Sequence, residues 1–388
     1  MKVLIVVPSF RNGGTITSLK NIVSSIDLDK HQIDVFAITN TGSNSDFIAN
    51  YVNVLGQNLD NKIISTSLKI SIKKSVFKLV KFVKKTLEKI GIDISPVAFK
   101  PVVRRLEQNN YDLVISFQEG QATKFVSYFK KARKISWVHC DYKNMLRIAN
   151  IKPQHNLYSK IDKIVCVSEY TKNVFISLLP ETTPKTIPLH NLISEKIIIE
   201  RSNDQNEMDT NFNYDGFRIV SLGRIDPVKR FSSIPKIVND LKKRGLKFRW
   251  YIIGGGNGQE KGLLNKNISE YSVQEELLLL GEKNNPYPYI KEADLLVSTS
   301  LSEACPNVIN EAKILGTPIV ATDFGSVYEF IEDNVNGLIS PIETIADKIE
   351  QMISNEATYN SIKSNISQFK YNNDEILDIW YNEILVRE

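Results

Sequence analysis

The sequence has few cysteines and no long hydrophobic run. Its three cysteines, Cys140, Cys166 and Cys305, form no C-x-x-C spacing, which argues against a disulfide framework and against a structural zinc site. No apolar run reaches the ~18 residues that span a bilayer. The five apolar residues before Pro8 fall short of the ~7 that a signal-peptide core needs. We therefore expect a cytoplasmic protein.

The charge is divided unevenly along the chain. Residues 1–190 carry 28 Lys and Arg against 14 Asp and Glu, a net of +14. The remainder carries 21 basic and 30 acidic residues, a net of −9. Such a split indicates a polyanionic partner for the first half, such as a membrane surface, a lipid-linked phosphate or a nucleic acid.

Short apolar runs alternate with helical patterns through both halves of the chain. The predicted strands are KVLIVVPSF, HQIDVFAITN, YDLVISF, ARKISWVH and IDKIVCVSE, then FRIVSLG, KFRWYIIGGG, ELLLLGE, DLLVSTS and TPIVATD. Continuous apolar strands separated by helices predict an α/β fold with parallel sheets. The polar stretch 201–216 leads us to expect a Rossmann-like domain at 1–190 and a second at 191–370. The helical segment 371–388 can pack on either domain, and the first is favoured.

Several polar residues follow predicted strands, where open α/β sheets bind ligands. Gly13 and Gly14 would let the backbone approach an anion at a helix start, although a plain strand-to-helix turn fits equally well. Arg224 and Lys229 suit a diphosphate, but a solvated basic turn is the alternative. His139 ends a strand beside Asp141, in a chain with four histidines; a lone histidine is more often structural.

Two glutamates stand eight positions apart in SEACPNVINEA, residues 302–312. Pro306 disfavours helix at Cys305 and suits the first turn of a helix. Glu303 is then in a loop, and Glu311 is in the second helical turn. The helix start between them would attract an anion.

Residues 69–90 predict a basic amphipathic helix. Its apolar stripe is opposite Lys74, Lys78, Lys81 and Lys85. Each lysine near an anionic membrane surface contributes ~1 kcal/mol. A core-packed helix with a solvated basic face is the alternative, and the excess charge of the first half favours the membrane.

Five ordered motifs resemble the retaining glycosyltransferases of family four, bacterial enzymes of cell-surface glycan synthesis. They are the glycine pair after the first strand, WVH, G-R-x-x-x-x-K, GEKNNPYPYI, and the E-x7-E segment with its following GTPIVATD strand. The resemblance implies a GT-B fold, in which two Rossmann-like domains face each other across a cleft. Relatives commonly have Phe and Gly after the first glutamate, whereas this chain has Ala304, Cys305, Pro306 and Asn307. This departure concerns the sugar more than the reaction.

The resemblance also implies roles for particular residues. It implies that His139, Arg224, Lys229 and Glu303 act in catalysis, with Arg224 and Lys229 neutralising the leaving diphosphate and Glu303 binding sugar hydroxyls. Glu311 would hold the ribose. The remaining donor contacts would be Asn12, Gly13, Gly14 and Thr15, the nucleobase loop Glu282, Lys283, Asn284 and Asn285, and the helix start Ala304, Cys305, Pro306, Asn307 and Val308.

The expected function is therefore metal-independent, retaining transfer of a hexose or N-acetylhexosamine. The expected donor is a nucleoside diphosphate sugar, with UDP favoured, and the acceptor a lipid-linked or cell-surface glycan. We expect a cytoplasmic enzyme peripheral to the inner face of the plasma membrane, with no nucleic-acid partner. The alternatives are a non-catalytic glycosyltransferase-like subunit and a UDP-sugar epimerase on the same fold.

Overall fold

The computed structural model describes residues 1–11, 13–39, 42–55, 95–206, 208–256 and 258–386. The basic helix predicted at 69–90, with Lys74, Lys78, Lys81 and Lys85, lies outside these ranges, as does Asn12. The chain forms two compact units. The first comprises Met1–Val167, Thr171–Leu192 and Glu375–Glu388, and the second comprises Ser168–Tyr170 and Ile193–Asp374.

The first unit is built on a parallel sheet of seven strands, in the order β3-β2-β1-β4-β5-β6-β7. The central strands are buried runs of Val, Ile and Leu, as expected when helices cover both faces. The strands are β1 Lys2–Val7, β2 Gln32–Ala37, β3 Asn53–Leu55, β4 Leu113–Ser116, β5 Arg133–Val138, β6 Lys163–Cys166 and β7 Thr186–Pro188.

The second unit repeats this plan with six parallel strands, in the order β10-β9-β8-β11-β12-β13. In both sheets the strand order reverses beside the first strand of the unit, which is the arrangement of a Rossmann sheet. The strands are β8 Phe217–Leu222, β9 Phe248–Ile253, β10 Leu277–Gly281, β11 Leu295–Ser298, β12 Ile319–Thr322 and β13 Leu338–Ser340. The predicted α/β class with two parallel sheets is confirmed.

Helices connect the strands in both units. They are α1 Gly14–Ser25, α2 Ser45–Ala49, α3 Ser95–Leu106, α4 Gln121–Val126, α5 Tyr142–Ala149, α6 His155–Tyr158, α7 Glu169–Leu178, α8 Glu195–Ser202, α9 Ile234–Lys243, α10 Gln259–Glu270, α11 Tyr287–Glu292, α12 Asn307–Ile314, α13 Val327–Phe330, α14 Ile345–Ser354, α15 Glu356–Ser367 and α16 Asn373–Ile379. Short 3-10 turns occur at Glu107–Asn109, Pro180–Lys185, Thr210–Phe212 and Phe231–Ser233, and a π turn at Trp380–Ile384.

The end of the chain returns to the first unit. Trp380 is buried and stacks on Trp137 of β5, with ring centroids 4.7 Å apart. Arg133 donates to the carbonyls of Glu383 and Ile384 at 3.2 and 3.1 Å. Lys163 pairs with the Glu383 carboxylate at 2.7 Å. The last residues therefore complete the core of the first unit, although 250 positions separate Glu383 from Arg133 in sequence.

None of the helices in the described ranges combines the length and the apolar character needed to cross a membrane.

Candidate functional site

The site in the second unit is at the carboxyl ends of β8 and β11. These strands are neighbours in the sheet, and the strand order reverses between them. Parallel strands end at the same edge, so the loops after β8 and β11 lie side by side at the position where such sheets bind ligands. The first loop carries Arg224 and Lys229, and the second carries Glu303. The topology therefore brings together Lys229 and Glu303, which are 74 positions apart in sequence.

The loop after β8 is held in a fixed turn. Gly223 has a φ of 141°, which favours glycine. A Cβ at Gly254 would stand 1.8 Å from the Gly223 carbonyl oxygen. Gly254, in the loop after β9, therefore has to be glycine for this loop to pack against the loop after β8. The Asp226 carboxylate accepts hydrogen bonds from the backbone N–H groups of Val228 and Lys229 at 3.0 and 3.1 Å. These two hydrogen bonds fix the backbone of the turn and so determine the direction in which the Lys229 side chain points.

Lys229 and Glu303 contact each other directly. The Lys229 ammonium donates a hydrogen bond to Glu303 Oε1, and both side chains are largely buried. Ser300 Oγ donates to the same carboxylate oxygen at 2.7 Å. A charge-assisted hydrogen bond of this kind is strong when it is shielded from water. The resemblance assigned Lys229 to the leaving diphosphate and Glu303 to the sugar hydroxyls. In this structure the two side chains neutralise each other.

A second set of hydrogen bonds holds the backbone around this ion pair. Arg230 donates to the carbonyls of Thr299 and Ser300, each at 3.1 Å. Thr299 Oγ1 donates to the Lys229 carbonyl at 2.7 Å, and Ser326 Oγ donates to the Glu303 carbonyl at 2.8 Å. The two loops are thus cross-linked through backbone atoms, which fixes the backbone positions of Lys229 and Glu303 and leaves their side chains to move.

Arg224 is in a different environment. Its side chain is 75% exposed and meets Asp226 at 3.3 Å. Exposed ion pairs contribute little to stability, so its guanidinium can be redirected to a ligand at small cost.

The segment SEACPNVINEA folds as the sequence predicts. Pro306 has extended backbone angles and caps α12, which begins at Asn307. Glu303 lies in the preceding loop, and Glu311 lies in the second turn. Ala304 is buried, and Cys305 and Val308 pack against the apolar core of the second unit. Two carboxylates therefore flank the start of one helix.

The Glu311 carboxyl has an unusually high pKa. Removal from water raises the pKa of its carboxyl to about 7, while the positive charges of Lys229 and Arg201 act in the opposite direction. Because the ordinary glutamate pKa is near 4.3, this side chain gains and loses its charge close to neutral pH. Binding of a ligand by the ionised form will therefore strengthen as the pH rises through 7.

The predicted nucleobase loop, Glu282–Asn285, follows β10. A Cβ at Gly255 would stand 2.8 Å from Glu282 Oε2, so this glycine admits the carboxylate. Lys283 pairs with Asp209 at 3.3 Å. The Asn284 carbonyl accepts a hydrogen bond from Arg201 at 2.6 Å, and the Asn285 side-chain amide donates to the Arg201 carbonyl at 2.8 Å. The sequence interpretation did not include Arg201.

In the first unit, the glycine pair is at the corresponding reversal point, between β1 and β4. Gly13 precedes α1, which begins at Gly14, and Thr15 is in its first turn. A Cβ at Gly13 would meet no atom within 4 Å, and both glycines are exposed. Crowding by the described atoms therefore does not explain why residue 13 is a glycine. The start of α1 is exposed at the edge of the sheet.

His139 follows β5, next to β4 in the sheet. Burial lowers the pKa of its imidazole to about 3, so the ring is neutral at physiological pH and can act through hydrogen bonds rather than as a cation. Within the described ranges, its buried Nε2 has no hydrogen-bond partner. Its backbone N–H donates to Glu119 at 2.8 Å. Glu119 is the second residue after the predicted strand YDLVISF, a position from which the sequence could have identified it.

Among the described residues, no three His, Cys, Asp or Glu side chains are grouped as a metal site would require.

Comparison with known proteins finds a family model that matches most of the second unit. Residues 202–369 match the model "Glycosyl transferases group 1". A 169-residue stretch is 30% identical to poly(ribitol-phosphate) alpha-N-acetylglucosaminyltransferase of Staphylococcus aureus, covering 42% of this chain and 34% of that protein. A longer stretch of 289 residues is 24% identical to N-acetylgalactosamine-N,N'-diacetylbacillosaminyl-diphospho-undecaprenol 4-alpha-N-acetylgalactosaminyltransferase of Campylobacter jejuni, covering 71% of this chain and 73% of that protein.

Solved structures resemble the whole chain. Anabaena Alr3699/HepE in complex with UDP-glucose aligns with a TM-score of 0.72 at 17% identity, covering 98% of this chain and all of that one. The crystal structure of TarM aligns with a TM-score of 0.71 at 16% identity, covering 98% of each chain. These likenesses establish the GT-B fold. The chain spans between about a third and about half of the length of the first curated relatives it matches.

Proposed function

We propose that this chain transfers a hexose or an N-acetylhexosamine from a nucleoside diphosphate sugar to a glycan, because residues 202–369 match the model of the group 1 glycosyl transferases. The observation that carries the proposal is the pairing of Lys229 with Glu303 beside the start of α12. This places a cation, a carboxylate and a helix N-terminus at the ligand-binding edge of a Rossmann sheet. This combination suits the negative charge and the hydroxyl groups of a sugar diphosphate.

The proposed mechanism is electrostatic. When the donor binds, Lys229 exchanges Glu303 for the diphosphate, and Glu303 is released to accept hydrogen bonds from sugar hydroxyls. Arg224 turns from Asp226 towards the same phosphates. Both cations and the N-terminus of α12 then stabilise the negative charge that develops on the departing phosphate. Together they supply the positive charge for the reaction, so we propose that transfer needs no metal ion.

Transfer with retention of configuration is part of the proposal. The anomeric carbon–oxygen bond to the phosphate breaks, and a bond to the acceptor oxygen forms on the same face. The acceptor proton passes to the phosphate oxygen that leaves. His139, which is neutral, and Glu119 lie at the edge of the first sheet and are suited to orient the acceptor through hydrogen bonds. Glu311 would accept hydrogen bonds from the ribose hydroxyls, and Glu282–Asn285 would contain the base.

We favour a uridine donor and a lipid-linked or cell-surface acceptor. Several similar structures are complexes with UDP or UDP-glucose, and the Campylobacter relative is named for a diphospho-undecaprenol substrate. The basic first half of the chain is suited to an acceptor that carries phosphate.

A panel of nucleotide sugars tests this function. Incubation with UDP-glucose, UDP-galactose and the two UDP-N-acetylhexosamines, with and without a lipid-linked glycan extract, is expected to release UDP only when acceptor is present. The release should persist in EDTA. Epimerisation without acceptor would support an epimerase, and binding without turnover would support a non-catalytic subunit; either result would overturn the proposal.

We also propose that the protein binds the inner face of the plasma membrane. The described residues add support at the end of α5. Ile148 and Ile151 are 68% and 43% exposed, between the exposed Arg147 and Lys152. The stretch 142–161 contains no acidic residue. Exposed apolar side chains among cations suit an anionic bilayer.

The four lysines of the predicted basic helix test membrane binding. Changing Lys74, Lys78, Lys81 and Lys85 to Glu should abolish flotation with anionic liposomes, because each lysine near the surface contributes ~1 kcal/mol. A matched control changes four exposed lysines of the second unit, Lys236, Lys247, Lys261 and Lys266. Equal flotation of both variants would refute the role of this helix.

A further inference from the structure

Arg201 connects two parts of the donor site that are far apart in sequence. It lies in the last turn of α8, where a positive charge interacts favourably with the helix dipole. From this position it contacts the loop Glu282–Asn285 and influences the charge of Glu311.

Arg201 holds the loop from both its side chain and its backbone. The guanidinium donates to the Asn284 carbonyl at 2.6 Å, and the Arg201 carbonyl accepts from the Asn285 side-chain amide at 2.8 Å. Two consecutive loop residues are therefore fixed to one residue of α8. A loop that recognises a base largely through its main chain depends on such anchoring, since its carbonyl and N–H groups must be correctly oriented before the ligand arrives.

The guanidinium of Arg201 also lies against an aromatic ring, which constrains its orientation. Its central carbon is 5.1 Å from the centroid of Tyr287, a largely buried residue that begins α11. A planar guanidinium can face an aromatic ring and still donate a directed hydrogen bond, which an ammonium group does less well. The contact limits the orientations open to the charge.

Glu311 is surrounded by groups from three elements. The charges of Lys229, in the loop after β8, and of Arg201, on α8, act on the Glu311 carboxyl, and its charge in turn acts on Tyr287 of α11. Tyr287, like an ordinary tyrosine, is uncharged near neutral pH, and burial raises its pKa further. Lys229 is engaged with Glu303, and in the proposed mechanism it moves to the diphosphate. Of the two cations whose charge acts on Glu311, Arg201 is then the one that stays in place.

We propose that Arg201 is a positioning residue for nucleotide recognition, which fixes the loop Glu282–Asn285 around the base. The inference rests on the proposed function. Arg201 does not touch the reacting atoms, so its effect should be on nucleotide binding and on the pH dependence of binding.

The test measures UDP affinity by calorimetry between pH 6 and 8.5. Wild-type binding should strengthen as the pH rises through about 7. Arg201→Met should move this transition to higher pH and weaken binding at pH 7 by about tenfold, the scale of one charge-assisted hydrogen bond. Arg201→Lys should retain the wild-type transition, since it retains the charge, while restoring only part of the affinity. Glu311→Gln should remove the pH transition in UDP affinity. A transition that persisted in this variant would come from the UDP phosphate and not from Glu311.

Arg249→Met is the matched control. Arg249 is 4.6 Å from the Tyr214 ring and is near the amino end of β9, at the opposite edge of the sheet. It should bind UDP like the wild type, and thermal melting should show all variants folded. If the wild type binds UDP and Arg201→Met matches it in affinity and transition, the inference is wrong. If the wild type binds no uridine nucleotide at any pH, the proposed function fails as well.

Discussion

Lys229→Gln is expected to reduce kcat for sugar transfer by about 10²–10³, the loss seen when one preorganised group that stabilises transition-state charge is removed. Glutamine retains a hydrogen-bond donor of similar length but no charge, so the departing phosphate loses a cation. The change appears in initial rates at saturating donor. Donor binding should weaken less than kcat, because the charge on the phosphate increases in the transition state.

Loss of an ion pair could by itself lower activity through stability, so the control breaks another one. Lys242 pairs with Glu276 at 2.7 Å in the same unit, away from the ligand-binding edge of the sheet. Lys242→Gln should melt within a few degrees of Lys229→Gln and transfer sugar at the wild-type rate. A rate for Lys229→Gln within about threefold of wild type would contradict the proposed role.

Trp380→Ala is expected to lower the free energy of unfolding of the first unit by about 3–5 kcal/mol, as for other large buried aromatic side chains. The substitution removes the ring that stacks on Trp137 and leaves a cavity next to β5. It also loosens the segment that holds the backbone contacts of Arg133 with Glu383 and Ile384. Urea unfolding followed by near-ultraviolet circular dichroism measures the change.

The control for this prediction is Tyr328→Ala, because Tyr328 is 66% exposed and its aromatic ring is of comparable size. It should change the free energy of unfolding by less than about 0.5 kcal/mol, as expected for a surface position. A loss below about 1 kcal/mol for Trp380→Ala would show that the chain end contributes little to the first unit.

Hydrophobic pattern alone was enough to predict the long strands of both sheets. β1, β2, β4, β5 and β6, and then β8 to β12, all coincide with predicted apolar runs. The strands that the pattern missed are β3, β7 and β13, each three residues long and each at a sheet edge. A three-residue strand carries too little periodicity to distinguish it from a loop, and only the neighbouring strand defines it.

The start of α12 could likewise be predicted locally. Pro306 constrains the residue before it and favours a helix start, whatever surrounds it. The positions of Glu303 and Glu311 relative to the helix follow from this residue. The sequence therefore determined the fold class, most strands and the local geometry around the two glutamates, because all of these depend on residues close together in the chain.

Only the tertiary structure decided which groups meet and what charge they carry. Lys229 faces Glu303 because the strand order reverses between β8 and β11, a long-range pairing that composition does not encode. Packing removes Glu311 and His139 from water, which raises the pKa of Glu311 to about 7 and lowers the pKa of His139 to about 3. Arg201 was not identified from sequence for the same reason: its contacts with Asn284 and Tyr287 span more than 80 residues of chain. Desolvation and long-range pairing depend on the assembled fold, so they could not be obtained from local sequence.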